Sequence, residues 1–422
     1  MTPPIIYNLF PRLIGPTTHW PEHAARAREL GFNWLYLNPW HLPGYSGSLY
    51  AVRNFDRLNP LFLPPGADPG SLEPLRDAVN EISRLGLKAM MDLVVGHTSR
   101  DSPLVSQHPG WFVRNAWGEV ASPWVADNAA AGGVTVWEDL AEVDNERAYA
   151  RDALWAFWSS QVRRGLELGF HGFRCDAAYK VPAELWRYLI GEARSVRPDV
   201  QFFAETLGAP LDAVLALRDA GFDYIFNSSK WWNFSEWWAL EQHARFCHVA
   251  PSVAFPESHD TGRVATESGG SEAVQRQRYA FAAAFSAGVM MTTGYEFGFR
   301  RQVSVLHTMP SDWERRPMDL RGFVKRVNAL KLRHPLLHGE GELSAPLGLE
   351  GSVLVLQRRI EDQEAWVLVN KRPDVGQEIA LTVPERYRLF RVCRDDAAQD
   401  GEPVPTHISL GPAEVAYLLP TL

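Results

Sequence analysis

The chain has 422 residues, with 42 Lys and Arg against 50 Asp and Glu, and a formal net charge of −8. This charge argues against a nucleic-acid-binding surface, and the sequence has no apolar run of about 20 residues that would predict a membrane-spanning helix. The N-terminal stretch MTPPIIYNLF lacks the basic and apolar regions of a signal peptide. The three cysteines, Cys175, Cys247 and Cys393, are too few and too scattered for a disulfide framework or a zinc ribbon. We therefore expect a soluble, cytoplasmic protein.

Short apolar runs typical of strands alternate with amphipathic runs typical of helices over roughly the first 335 residues. The predicted strands are, in chain order, PIIYNLF, NWLYLNP, LKAMMDLVV, GFRCD, VQFFAE, FDYIFN, SVAFPES and GVMMTTG. Helical stretches such as PEHAARAREL, LEPLRDAVNEISRLG and VPAELWRYLIGEARSV lie between them. Eight strands, each followed by a helical stretch, predict an α/β fold with a closed (β/α)8 TIM barrel over residues 1–99 and 146–335.

Two further segments complete the predicted organisation. Residues 100–145, rich in Trp, Gly, Asn and Asp, form an insertion after the third strand, and loops of this length are usually functional or small subdomains. From residue 336 to residue 422 the pattern changes to strands without intervening helices: GSVLVLQRRI, EAWVLVNKR, QEIALTV, YRLFRVC and VAYLL. We expect a C-terminal antiparallel β-sandwich there.

Charged side chains lie where several predicted strands end. In GFRCDAAYKV, Arg174 and Asp176 are two residues apart, so they share one face of the strand. Active sites of such barrels are built at the C-terminal ends of the strands, and His97 and His259 lie at the same rim. The acids selected by this rule are Asp176 after the fourth strand, Glu205 after the fifth, and Glu257 or Asp260 after the seventh.

Two of these acids suit the cleavage of a glycosidic bond, which needs a proton donor and a second carboxylate. Asp176 is the candidate nucleophile because the Arg174 guanidinium would keep it ionised. Glu205 ends the apolar run FFA, so we expect burial to raise its pKa towards that of a general acid. A retaining mechanism predicts carboxyl groups roughly 5–5.5 Å apart. The alternatives are an internal ion pair that shapes the barrel, a structural Glu205 and structural histidines.

Four segments, MDLVVGHTS, GFRCDAAYKV, FFAETLG and FPESHD, resemble in order and spacing the four short sequence regions of the α-amylase superfamily, glycoside hydrolase family 13. The resemblance implies that Asp176 is the nucleophile that forms a β-glycosyl-enzyme and that Glu205 is the general acid and base. It also implies that Asp260 stabilises the transition state by binding sugar hydroxyls. The residues it places around the attacked sugar are Tyr50, which stacks on the ring, His97 and His259, which bind it, Arg174, which positions Asp176, and Asp92, which supports the site from within the barrel.

Other positions refine what the resemblance implies. The stretch LNPWHLPGYSGSLYAVRNFDRLNPLF is similar to the branch of maltosyltransferases that act on maltose 1-phosphate, whereas PESHD keeps the His-Asp pair of ordinary amylases. Gly96 stands where most relatives have an asparagine that often binds calcium, so we expect no metal and no cofactor. Tyr179 and Lys180 replace the Lys-His pair of endo-acting amylases and would touch leaving-group or acceptor sugars, which disfavours starch-type endo-hydrolysis.

The sequence thus predicts a retaining glycosidase or transglycosylase that acts on short α-glucans or small α-glucosides, with no nucleic-acid or membrane partner. The alternatives are a maltosyltransferase that uses maltose 1-phosphate and a catalytically silent carbohydrate-binding barrel. A metal-dependent hydrolase is disfavoured because no HxH or HExxH spacing occurs. Whether water or an acceptor sugar completes the reaction depends on contacts outside the four motifs, for which the candidates are Trp40, Trp231, Trp232 and the Arg300–Arg301 pair. Oligomeric state is not predicted.

Overall fold

Eight parallel strands close into a barrel in the computed structural model, which describes residues 2–126 and 133–421. The barrel strands are β1 Ile5–Leu9, β2 Trp34–Leu37, β3 Lys88–Leu93, β4 Gly172–Cys175, β5 Gln201–Glu205, β6 Tyr224–Phe226, β7 Ser252–Ala254 and β8 Gly288–Thr292. Each strand pairs with its neighbours along the chain, and β8 pairs with β1 to close the ring. The predicted (β/α)8 fold is confirmed.

Helices that follow the strands surround the barrel. They are α1 Trp20–Glu29, α2 Glu73–Arg84, α3 Arg151–Glu167, α4 Ala183–Val196, α5 Leu211–Leu215, α6 Trp238–Phe246, α7 Glu272–Phe285 and α8 Arg321–Arg333. In α2, Leu75, Val79 and Ile82 are buried at helical spacing, so one face of the helix packs on the barrel. Short helices in the loops span Pro11–Ile14, Pro103–Gln107 and Val264–Glu267. None of the helices in the described residues has the length and hydropathy needed to cross a bilayer.

Side-chain alternation along the strands decides what faces the barrel interior. Ile6 belongs to the interior cluster, whereas Ile5 and Tyr7 pack in the outer layer against the helices. In β4, Phe173 and Cys175 likewise pack in the outer layer. Arg174 therefore points into the barrel, as the spacing of its neighbours predicts.

Three small two-stranded antiparallel sheets, of which the first and third are hairpins, build up the rim at the C-terminal ends of β2 and β3. The pairs are His41–Pro43 with Val52–Leu58, His97–Ser99 with Leu140–Glu142, and Trp124–Ala126 with Val134–Val136. The second and third of these sheets lie in or beside the predicted insertion at residues 100–145. The first hairpin, which was not predicted, carries Tyr50 in the loop between its strands.

The C-terminal part is built from antiparallel strands. They are β9 Glu342–Ser344, β10 Val353–Ile360, β11 Gln363–Asn370, β12 Gln377–Ala380, β13 Tyr387–Phe390, β14 Glu402–Pro403, β15 His407–Leu410 and β16 Val415–Pro420. Six of them form a sheet in the order β9-β10-β11-β16-β13-β14, and β12 pairs with β15. Val355, Leu368, Leu389 and Ile408 belong to one buried cluster that joins the two sheets. The short strands β9, β14 and β15 were not predicted. Residues 1, 127–132 and 422, which fall within the predicted domain boundaries, lie outside the described residues.

Candidate active site

One guanidinium joins the acids that follow β4 and β5. Arg174 Nη1 lies 2.7 Å from Asp176 Oδ1, and Arg174 Nη2 lies 3.9 Å from Glu205 Oε2. The side chains of Arg174, Asp176 and Glu205 are 5%, 14% and 16% exposed. The two carboxylates are therefore neighbours at the edge of the barrel interior, where the strand-end rule places them.

The backbone after β4 adds a further contact between these acids. Ala177 has the left-handed conformation, with φ 40° and ψ 47°, between Asp176 and the 3-10 turn Ala178–Lys180. Its N–H donates to Glu205 Oε2 at 3.0 Å. A left-handed alanine costs on the order of 1 kcal/mol, so the rest of the fold must hold this residue in place.

Asp92 holds Arg174 in place through hydrogen bonds within the barrel interior. It is fully buried, and its two carboxylate oxygens accept from Arg174 Nη1 at 3.0 and 3.3 Å. Tyr36 and Tyr50 donate their hydroxyls to Asp92 Oδ2 at 2.5 and 2.6 Å. Burial raises the pKa of Asp92, and the Arg174 charge opposes that rise. Burial alone would lower the pKa of Arg174, but Asp92 and the neighbouring groups raise it well above its ordinary value, so Arg174 stays charged.

Tyr36 and Asn38 are site residues that the sequence reasoning did not identify. Asn38 Nδ2 donates to the hydroxyls of Tyr36 and Tyr50 at 3.2 and 3.1 Å. Tyr36 lies on the inward side of NWLYLNP, because Leu35 and Leu37 pack in the outer layer. A polar hydroxyl at an inward position near the end of a barrel strand was the signal that could have found it.

Tyr50, His259 and Asp260 form a second group of side chains in the site, in addition to Arg174, Asp176 and Glu205. The Tyr50 and His259 rings stack with centroids 5.6 Å apart and planes 7° apart, and Tyr50 Oη lies 2.8 Å from His259 Nε2. The same nitrogen lies 3.0 Å from Asp260 Oδ2, and the Asp260 side chain is 53% exposed. Glu257, the other acid after β7, is 1% exposed and is paired with Arg263. Of the two acids, only Asp260 is open to a ligand.

The electrostatics separate the two acids of the proposed reaction. Burial raises the pKa of Glu205 from 4.5 to about 7, with Arg174 opposing the rise and Asp176 adding to it. Asp176 instead lies in direct contact with Arg174. The pair therefore offers a proton donor near neutral pH beside an ion-paired carboxylate, as the apolar run before Glu205 predicts.

Two hollows of different size adjoin the acids. An inner cavity of about 20 Å³ has Glu205, Asp260, His259, Arg174 and Tyr36 in its lining. An outer cleft of about 640 Å³ has His97, Asp176, Tyr179 and Lys180 in its lining, and it has the volume of a typical ligand site. The inner cavity has room for little more than one water molecule.

The structure corrects the expectation that Trp40 binds substrate. Its side chain is 1% exposed and stacks on His41 with ring centroids 3.9 Å apart, so it lies beneath the rim hairpin. Trp232 is also fully buried, whereas Trp231 is 52% exposed. Arg301 is paired with Asp312.

Asp92 is fully buried, so it cannot touch a sugar and can act only through its neighbours.

Gly96, which stands where many relatives have a calcium-binding asparagine, takes part in backbone hydrogen bonding. The Gly96 carbonyl accepts from Val143 N at 3.0 Å, and Asn145 Nδ2 donates to the Val95 carbonyl at 2.9 Å. Within residues 2–126 and 133–421, no three His, Cys, Asp or Glu side chains are grouped as metal ligands. That the protein needs no metal or cofactor stays a prediction.

Several known proteins are similar to this chain in sequence. Residues 5–130 match the glucanotransferase domain of glycogen debranching enzyme. The α-1,4-glucan:maltose-1-phosphate maltosyltransferase of Burkholderia pseudomallei strain K96243 is 28% identical over 393 residues, covering 90% of this chain and 34% of that protein. The maltogenic α-amylase of Bacillus acidopullulyticus is 22% identical over 378 residues, covering 83% of this chain and 61% of that protein. The chain thus spans about a third to three-fifths of the length of these relatives.

The fold has close counterparts among solved structures. An α-amylase from Lactobacillus plantarum superimposes with a TM-score of 0.77 at 20% identity, over 98% of each chain. The likeness covers the C-terminal sheets as well as the barrel.

Proposed function

We propose that this chain, whose motifs, fold and relatives are those of the α-amylase superfamily, is a retaining glycosidase or transglycosylase that acts on short α-glucans or small α-glucosides. The resemblance to that superfamily, predicted from the four motifs, is confirmed. The particular substrate and the roles of the site residues are proposals that rest on this resemblance together with the geometry of the site.

One observation carries the proposal: a single guanidinium contacts two carboxylates that differ in environment. Asp176 Oδ1 lies 2.7 Å from Arg174 Nη1, so this carboxylate is held in an ion pair at the end of β4. Glu205 lies farther from that charge, and burial raises its pKa to about 7. A structural ion pair would explain Arg174 with Asp176, but it would not need a second acid that holds its proton near neutral pH.

The proposed reaction uses these groups in two displacements. Glu205 donates its proton to the glycosidic oxygen while Asp176 attacks the anomeric carbon, so the bond to the leaving group breaks and a β-glycosyl ester forms. Glu205, now ionised, takes a proton from water or from an acceptor hydroxyl, which attacks the same carbon and releases Asp176. Two inversions give a product with the starting α configuration.

The remaining residues bind and orient the sugar. Asp260, half exposed beside His259, would accept hydrogen bonds from ring hydroxyls as charge develops in the transition state. Tyr50 and His97 would contact the same ring, and the buried His97 Nε2 has no hydrogen-bond partner among the described residues. Tyr179 and Lys180 line the outer cleft, where the leaving group or acceptor would lie.

A maltosyltransferase that uses maltose 1-phosphate is the second candidate. The name of the Burkholderia pseudomallei relative favours it. In this chain, Lys180 in the outer cleft is a cation that a phosphate leaving group could meet, although its Nζ already donates to the Trp124 carbonyl at 2.6 Å.

We also propose that the protein works in the cytoplasm. All three cysteines are free thiols in the structure, as a reducing compartment would leave them. Fractionation of the native host cells tests this.

The experiment for the proposed activity compares maltose, maltotriose, sucrose, trehalose and maltose 1-phosphate as substrates and follows the anomeric protons by NMR. We expect the α-anomer of the new sugar to appear first and to mutarotate afterwards. The β-anomer appearing first would contradict the retaining mechanism. Phosphate release with chain extension would select the maltosyltransferase, and no turnover of any glucoside would favour a silent binding barrel. An Asp176→Ala variant is the negative control.

A further inference from the structure

The segment from Glu257 to Arg263 carries His259 and Asp260, and a buried ion pair joins its two ends. Arg263 Nη1 lies 2.6 Å from Glu257 Oε1, and each side chain is 1% exposed. Buried charges of this kind are kept only where they are paired and hydrogen-bonded. The pair closes the segment into a loop of seven residues around Asp260.

The rest of both side chains anchors this loop to its surroundings. Arg263 Nη2 donates to the Thr293 carbonyl at 3.0 Å, and Arg263 Nε donates to the Arg301 carbonyl at 3.1 Å. Glu257 Oε2 accepts from Val264 N at 2.7 Å. The Arg263 guanidinium therefore makes three contacts: one with Glu257, after β7, and two with backbone carbonyls in the segment after β8.

Inside the loop, short hydrogen bonds shape the backbone around Asp260. Ser258 N donates to Thr261 Oγ1 at 2.9 Å, and Asp260 N donates to Ser258 Oγ at 3.2 Å. The Asp260 carboxylate itself is half exposed and contacts His259 Nε2 at 3.0 Å. Its position is thus set mainly by the loop backbone, and the loop is held by the Glu257–Arg263 pair.

We propose that Arg263 is a positioning residue, which acts through Asp260 by fixing the loop that carries it to the segment after β8. The inference rests on the proposed function, because it assigns Arg263 a share in the transition-state role of Asp260. A lysine at this position would keep the charge, but one ammonium group cannot reproduce the planar fork that makes the three contacts.

A double-mutant cycle tests whether Arg263 acts through Asp260. We expect Arg263→Lys to lower kcat about 10- to 100-fold with little change in KM, since small displacements of a catalytic group have effects of this size. Once Asp260→Asn has removed the carboxylate, adding Arg263→Lys should lower kcat no further. Effects that multiply in the double variant would overturn the proposal.

Arg26→Lys is the matched control. Arg26 lies 3.3 Å from the fully buried Glu296, and it donates to the hydroxyl of Tyr7, which faces the outer layer of β1 and not the barrel interior. This variant should lose stability without losing kcat. A fall in kcat equal to that of Arg263→Lys would show that the effect reports general stability and would overturn the proposal.

Amide hydrogen exchange measures the mobility of the loop backbone without depending on enzymatic activity. Mass spectrometry of the full-length protein should show faster amide exchange over residues 258–262 in Arg263→Lys and no change there in Arg26→Lys. Unchanged exchange in Arg263→Lys, with normal turnover by the parent, would overturn this inference. Absence of glucoside turnover by the parent would instead overturn the proposed function.

Discussion

Arg174 is the residue on which the chemistry of the site depends. Its guanidinium contacts Asp92, Asp176 and Glu205, so one positive charge serves three carboxylates. Tyr36 and Tyr50 add hydrogen bonds to Asp92, and Asp176 has the shortest contact with the arginine. Glu205 has the longest contact, and burial raises its pKa to about 7. Among the three acids around this one cation, Glu205 is therefore the one we propose as the proton donor.

The proton-donor role predicts the behaviour of Glu205→Gln. The kcat/KM of the parent should fall as the pH rises through about 7, because Glu205 must be protonated to act as the acid. The variant should lose roughly 10²- to 10⁴-fold in kcat on maltose and should no longer show that limb of the pH profile. On α-glucosyl fluoride, whose leaving group needs no proton, the loss in glycosylation rate should be much smaller. Equal losses on both substrates would contradict the assignment.

The raised pKa of Glu205 also predicts a stability change. In the unfolded chain Glu205 ionises near its ordinary value of 4.5, whereas in the folded protein it ionises near 7. The stability it contributes is therefore present below pH 4.5 and is lost as the pH rises to about 7. Glu205→Gln should be more stable than the parent by on the order of 3 kcal/mol above pH 7, with the difference vanishing near pH 4. Urea unfolding at a series of pH values measures this, and a difference independent of pH would refute the shift.

The elements that hold the site differ in how far they could be predicted. The barrel strands follow from apolar runs of the right length, and the rule that sites lie at strand ends brought Asp176 and Glu205 together. The hairpin of His41–Pro43 and Val52–Leu58 was missed because its residues do not alternate regularly: its longer strand has buried residues at Val52, Phe55 and Leu58 only. Trp40 was misplaced because its burial depends on that hairpin and on the stack with His41.

The choice between the two acids after β7 shows a similar limit. Both Glu257 and Asp260 follow the strand, and their spacing alone does not separate them. The structure separates them by the partner of Glu257, since Arg263 lies six positions along the chain but folds back onto it. The sequence shows that an arginine follows Glu257 six positions later. It does not show that the chain turns so that the two side chains meet.

Close packing between the hairpin that carries Tyr50 and the rim strand His97–Ser99 predicts the effect of Gly44→Ala. A Cβ at Gly44 would lie 2.5 Å from Ser99 Cβ and would overlap the Ser99 hydroxyl. The hairpin that carries Tyr50 would then be pushed away from the strand His97–Ser99, so Tyr50 and His97, which we propose contact the sugar, would both shift. We expect a lower Tm and a rise in KM of about tenfold or more, read from thermal unfolding and steady-state kinetics.

Gly47→Ala in the same hairpin is the control for this prediction. Gly47 has φ +77°, and a Cβ there meets nothing within 4 Å, so the substitution costs only backbone strain of about 1 kcal/mol. Its KM should stay close to that of the parent. Similar KM values for the two variants would mean that hairpin contact does not position Tyr50.

For the whole molecule, the two ends of the barrel have separate roles. The acids lie at the C-terminal ends of the strands, while a buried lysine at the other end joins α8 to neighbouring parts of the barrel and to the segment before the C-terminal sheets. Lys331, fully buried, donates from Nζ to the carbonyls of Ala283, Ser286 and Leu337 at 2.8, 2.8 and 2.6 Å. These contacts tie α7, the start of β8 and the segment before β9 to α8.

Lys331→Met should therefore separate stability from catalysis. The variant leaves three buried carbonyls without their donor, which should lower the free energy of unfolding by on the order of 3 kcal/mol. Because the site lies at the opposite end of the barrel, kcat per folded molecule should stay unchanged. Urea unfolding and active-site titration measure the two quantities. A loss of kcat without a loss of stability would contradict this division of roles.

The most direct measurement of the central claim is to trap the covalent intermediate. A 5-fluoro-α-glucosyl fluoride, whose glycosyl ester hydrolyses slowly, is incubated with the protein, and the digest is sequenced by mass spectrometry. We expect one glycosyl group, attached to the Asp176 carboxylate. A label on a different side chain, or steady turnover of unmodified maltose with no residue ever labelled, would contradict a nucleophilic Asp176.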